Sequence, residues 1–249
     1  MTATLDTTPE VRRTPTSAAP TGDISRRLAG FGALTFVVTV LGQNLVRGAT
    51  APANGASPQE VLDHYAAHSA ITSVLVSMFV VSGLGLVVFL GGAVRDLMSS
   101  ARRGWALTGF VGGIAILSLF SFLVAAETAL TVIAGHAHPS LGAVEAIWAL
   151  HNSVFVVLLF AIAVGLLGLS RAGIAAGVTP RAYRWIAPVG SAMLLTGVVS
   201  GPAIAAGDLM GLFAISGVGF LVWLSFLVAT GLRMVRSNGG TRSGAPADL

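Results

Sequence analysis

The sequence predicts an all-α, polytopic transmembrane helix bundle with six spans and both termini in the cytoplasm. Three observations carry that prediction. Only 10% of the 249 residues are charged and 54% are hydrophobic, whereas a soluble domain carries about 25% charge to hold its surface in water. The mean hydropathy of +0.84 agrees. The apolar residues lie in six continuous runs, near 28–46, 70–94, 105–134, 143–169, 185–206 and 209–232. Each is close to or above the ~20 residues a helix needs to cross the hydrocarbon core. Continuous runs speak against alternating barrel strands, and a helix satisfies its own backbone in lipid. Finally, 13 of the 14 Arg fall in segments that six crossings would place on one side, and Arg47 alone on the other. The positive-inside rule makes the Arg-rich side cytoplasmic; the expected location is the plasma membrane.

Taken in chain order, residues 1–24 are rich in Thr, Pro, Ala and Ser without apolar periodicity, and read as a disordered cytoplasmic tail. Residues 25–236 form the transmembrane domain, and 237–249 read as a second disordered tail. Ser25-Arg26-Arg27 before the first run, with Ala49-Thr50-Ala51 after it, loosely resembles a twin-arginine signal with a small-residue cleavage site. The favoured reading is an uncleaved first helix.

The loop from Arg47 to His68 is the longest on the outer side. Within it, Ser57-Pro58-Gln59-Glu60 reads as a helix start: a Ser N-cap, Pro at the first position and Glu at the third. A short helix near 58–68 follows, with Val61, Leu62 and Tyr65 as its apolar stripe and Glu60, His64 and His68 on another face. In the spans, Gly109 with Gly113 and Gly197 with Gly201 have the spacing of close helix packing. Gly201-Pro202 should bend or end the fifth helix. No internal repeat supports an inverted-repeat transporter.

All five His, together with Glu60, Asp63, Glu127, Glu145 and Asp208, fall toward the outer side. Glu127 lies near the end of the third run and His151 near the start of the fourth, on either side of a short outer turn. At 1.5 Å per residue both sit ~10–12 Å below that turn. They are expected to approach each other as a buried polar pair, and an intramembrane ionisable residue is a functional hypothesis by default. Glu145, Trp148 and Asn152 share one face of the fourth helix. Three readings of the cluster compete: a pair that joins two helices, a divalent-metal or ligand site, and a proton-linked path. The candidate metal or ligand residues are His64, His68, His136, His138, Glu145 and Asp208, because imidazole with carboxylate suits Zn²⁺ and similar ions. No Asp, Glu or His extends a proton path into the inner half.

Composition excludes much else. There is no Lys, hence no Schiff base and no phosphate-loop lysine, and no Cys, hence no disulfide, thiolate nucleophile or cysteine-ligated cluster. A rhomboid-type protease also has six spans, with Ser200 as the nearest match to its nucleophile, but that family's His follows its Ser and here no His follows His151. A ceramidase-like metal-dependent hydrolase at the outer leaflet remains the enzyme alternative, and a transporter of a small solute or ion a third class. A b-type haem would lack a second facing His. No basic folded domain exists for nucleic acid. The expected partners are the lipid bilayer and a membrane protein or a second copy. No cofactor is implied beyond that candidate divalent metal.

Ser57-Pro58-Gln59-Glu60-Val61 with Tyr65 and His68, and Leu150-His151-Asn152 in the fourth run, resemble uncharacterised six-helix integral membrane proteins of high-GC actinobacteria. The resemblance covers residues 25–235. It implies fold and location, and no activity.

Overall fold

The computed structural model describes residues 21–201, 203 and 210–236. These form seven helices and, among the described residues, no strand: α1 (Thr21–Thr50), α2 (Pro58–Ala67), α3 (Ser69–Met98), α4 (Arg103–Ala134), α5 (Leu141–Ala175), α6 (Tyr183–Val199) and α7 (Met210–Arg236). Five of them, α1, α3, α4, α5 and α7, are long and apolar enough to cross a membrane. α6 carries the fifth apolar run and has 17 described residues, with Pro188 near its start. The helices outrun the apolar stretches: α1 begins at Thr21, inside the segment expected to be a tail. Apolarity marks what lipid can cover, whereas hydrogen bonding lets a helix continue past it.

The six long helices close into a ring in which α1 packs on α3, α3 on α4, α4 on α5, α5 on α6, α6 on α7, and α7 back on α1. α5 also touches α3 and α7 across the ring, and it is the most buried of the five candidate spans. The interior combines glycine and alanine with large apolar side chains such as Phe89, Leu166, Trp223 and Phe226. Val38, Leu45, Leu84, Val111, Ile114 and Val189 are exposed on the outside, a surface that suits lipid tails and not water.

Glycine sets the closest contacts. A Cβ on Gly112 of α4 would stand 2.5 Å from the Gly165 nitrogen of α5, and one on Gly32 of α1 would stand 2.6 Å from the Gly85 oxygen of α3. Backbones meet where side chains would otherwise hold them apart. Gly109 and Gly113 divide their roles, the first lying on Leu169 and the second on Leu90. Gly197 lies against Leu159 and Ser216, and Gly201 against Val156. Ser200 is the C-cap of α6, and Pro202 lies outside the described residues. Short polar ties add to the packing: Ser191 Oγ donates to the Ala163 carbonyl at 3.1 Å, and the Thr179 and Thr230 hydroxyls meet at 3.0 Å.

At one end of the ring Arg26 and Asp96 form an ion pair at 3.1 Å. At the other end α2 lies across α4 and α5 and touches α3. A capping box starts α2: Ser57 Oγ accepts from the Glu60 N–H at 3.3 Å, and Glu60 Oε2 accepts from the Ser57 N–H at 2.7 Å. Its buried Val61, Leu62 and Tyr65 rest on Leu130, Val144 and Trp148. A single residue, His68, separates α2 from α3, with a non-helical backbone of φ −116° and ψ 24°.

Candidate functional site

Beneath α2 the chain buries an ionised carboxylate. Glu127 of α4 is 5% exposed, and both its oxygens are held by Arg47 of α1. Arg47 Nε donates to Oε1 and Nη2 to Oε2, each at 2.8 Å. The parallel pair of bonds matches the planar guanidinium to the planar carboxylate, the strongest form such a contact takes. The Arg47 guanidinium carbon also lies 6.0 Å from the Phe120 ring centre, in cation–π range.

His151 of α5 approaches the same carboxylate less closely, with Nε2 3.7 Å from Glu127 Oε1. Its ring is fixed from two sides. It stacks on Trp148 at 4.9 Å between centres, and Nδ1 lies 3.2 Å from Asn152 Oδ1. That amide oxygen is an acceptor, because Asn152 Nδ2 donates to the Asn54 carbonyl at 3.0 Å. Trp148 Nε1 donates to the same carbonyl at 3.1 Å. Two side chains of α5 thus tie down the loop that leads into α2.

Arg47 and Glu127 form the floor of a small cavity of about 20 Å³, walled by His64, Tyr65, His68 and Thr72. Its volume matches a single water molecule. His64 and His68 stack face to face with ring centres 4.4 Å apart. His68 Nδ1 lies 2.9 Å from the His64 carbonyl oxygen, which makes that nitrogen the donor. Burial, and then the neighbouring His68, hold the His64 ring below its ordinary pKa, while Glu127 acts in the opposite direction. Burial also pushes the Tyr65 hydroxyl up.

The sequence-predicted residues therefore separate. Glu127 and His151 come within ion-pair distance, and His64 and His68 join Glu127 around one cavity. His136 and His138 are exposed in the turn between α4 and α5, and Glu145 is exposed on α5. Asp208 lies outside the described residues. Among the described residues no three His, Asp or Glu side chains converge as a metal shell requires. Sequence reasoning missed Arg47, which it treated as the exception in a count of loop charges. That exception was the available signal, since an Arg set apart from the thirteen others needs a local reason. Gln43, one turn away on α1, was missed too. It is fully buried and donates Nε2 to the Leu75 carbonyl at 3.0 Å, and its Oε1 has no hydrogen-bond partner.

Comparison with known proteins finds no matching family model, curated protein or solved structure.

Proposed function

We propose that this chain is a non-enzymatic, six-span protein of the plasma membrane, with both termini cytoplasmic and its working end at the outer mouth, where it binds a small polar ligand. One observation carries the reading: the doubly bonded Arg47–Glu127 pair forms the floor of a polar cavity that α2 covers. Burying two charges costs more than their attraction alone returns, unless further bonds satisfy them. Elsewhere in this ring apolar packing and neutral hydrogen bonds, such as Ser191 to Ala163 and Thr179 to Thr230, supply cohesion, and the Arg26–Asp96 pair is partly exposed. The cavity is too small for an organic ligand while α2 is seated, so binding requires α2 to shift. In this reading α6 is the sixth span, and the resemblance to actinobacterial six-helix proteins belongs with it. The first helix is retained, because cleavage after Ala51 would remove Arg47 and leave Glu127 without its bidentate partner.

The metal-dependent hydrolase has less support, since its candidate ligands do not gather among the described residues. A transporter would need polar groups in the Arg-rich half of the bundle to match those beneath α2.

Binding is tested by thermal unfolding of detergent-purified, untagged protein with acetate, phosphate, ammonium or zinc as probes, on wild type and Thr72→Val. A probe that stabilises the wild type and not the variant supports the reading. A folded protein that responds to none of them overturns it. Stoichiometric zinc lost on His64→Ala/His68→Ala would instead restore the hydrolase.

A further inference from the structure

α2 is built as a separate, hinged piece. It has its own N-terminal capping box, a single-residue break at His68 before α3, and an apolar face that seats on α4 and α5. The hinge carries a stacked imidazole pair. His68 closes the last turn of α2 through its Nδ1 bond to the His64 carbonyl, which leaves Nε2 as its basic nitrogen. Both rings border the cavity over Arg47 and Glu127.

We propose that α2 is a proton-operated lid: it is closed over the outer cavity while His64 and His68 are neutral, and protonation of the stack unseats it. This regulation rests on the outer-mouth reading above. Two neutral imidazoles stack without penalty. Two imidazolium rings at 4.4 Å would put like charges face to face, with the Arg47 guanidinium across the cavity as a third. The charged groups around them come from every neighbouring element. α1 contributes Arg47, α4 contributes Glu127, α5 contributes His151 and the exposed Glu145, and α2 itself carries Glu60, Asp63 and Tyr65. Among the described residues Glu127 is the only carboxylate bordering the cavity, and Arg47 already holds both its oxygens. It therefore cannot fully compensate two added charges.

The sign follows. Burial and His68 lower the His64 pKa in the closed state, so the open state takes up the proton more readily. The advantage of the closed state is complete above the ordinary His value of 6.5 and is lost as pH falls below it. The Ser57 N–H and hydroxyl hold the Glu60 carboxyl below its ordinary 4.5, so opening between neutral pH and ~5.5 reports the imidazoles.

The chain contains no Cys, so single reporters can be introduced without background. Val144→Cys puts a thiol under α2, where Val144 is fully buried against Val61, Leu62 and Tyr65. Gly142→Cys puts one in open space two residues away. The ratio of their maleimide labelling rates in detergent cancels the intrinsic pH dependence of the thiol. The expected result is a several-fold rise in the ratio from pH ~8 to ~5.5, because the open state takes up the proton more readily. It should be abolished in His64→Phe/His68→Phe, which keeps a stacked pair without titration. Leu130→Cys serves as a second buried reporter, and His64→Gln/His68→Gln as a second non-titrating background. A flat ratio, or a pH response that survives both His backgrounds, overturns the lid. Labelling of Gly142→Cys in intact cells by an impermeant reagent tests orientation separately. No labelling there sinks the outer-mouth reading, while the detergent ratio still judges the hinge.

Discussion

Arg47 and Glu127, 80 residues apart in the chain, face each other through two parallel hydrogen bonds of 2.8 Å beneath α2. The contact joins α1 to α4, two helices that do not otherwise pack as neighbours in the ring. It places a charge pair in the bundle interior at the end where α2 rests, and most of the chemistry available to this protein follows from it.

Removing one partner should cost far more than removing both. Arg47→Met leaves the Glu127 carboxylate buried without its guanidinium, an expected loss of about 3–5 kcal/mol. Arg47→Met/Glu127→Met should recover most of that loss. Arg47→Lys should fall between, because an ammonium supplies the charge without the planar fork. Unfolding of the purified variants in micelles measures the series, and an Arg47→Met variant as stable as wild type would show that the pair contributes nothing.

The α4–α5 contact makes an asymmetric prediction about two glycines. A Cβ on Gly112 meets the backbone of Gly165 at 2.5 Å, whereas a Cβ on Gly165 meets the flexible end of Ile116 at 3.3 Å. Gly112→Ala should therefore destabilise by about 1–3 kcal/mol through forced separation of the helices. Gly165→Ala should be close to neutral. Equal melting temperatures for the two variants would contradict the packing described for this pair.

The N-terminus of α2 should be sensitive to Ser57 and to acid. Ser57→Ala removes the cap and should cost about 1 kcal/mol of local stability, read as faster hydrogen exchange across 58–67 with the long helices unchanged. The backbone N–H of Ser57, and then its hydroxyl, hold the Glu60 carboxyl below its ordinary 4.5. A lowered carboxylate pKa stabilises the folded form above the unfolded value, and that contribution fades as pH falls through the folded one. Exchange in α2 should thus rise again below pH 4.5 in the wild type. In Glu60→Gln this second rise should be absent.

The loop before α2 is held by the Trp148 and Asn152 side chains on one carbonyl, that of Asn54. Trp148→Phe keeps the aromatic ring stacked on His151 and loses the indole N–H. Asn152→Leu loses the second donor and frees His151 Nδ1. Limited proteolysis across 51–57 should speed up modestly in each single variant and more than additively in the double, because either donor alone still anchors the carbonyl. Unchanged cleavage in the double variant would mean that the loop is held elsewhere.

Much of this molecule follows from one-dimensional rules. Continuous apolarity marks the long helices, since lipid tolerates only backbones that bond to themselves. The Ser57-to-Glu60 spacing specifies a helix start, since a capping box is made within four residues. Equal distances from one turn put Glu127 and His151 at one depth, since rise per residue is constant. These rules count along the chain, and none of them determines which way a helix is rotated or which helix stands beside it. That is why Arg47 escaped them. Its partner lies 80 residues away, and only the closing of the ring, directed by backbone contacts at Gly32, Gly85, Gly112 and Gly165, turns α1 so that the guanidinium meets the carboxylate. The same rotation turns Glu145 out and leaves His136 and His138 exposed, while the fold of α2 over the ring brings His64 and His68 to the cavity. Composition and period determined the helices and the depth of their polar residues; the packing of six helices against one another decided which of those residues touch.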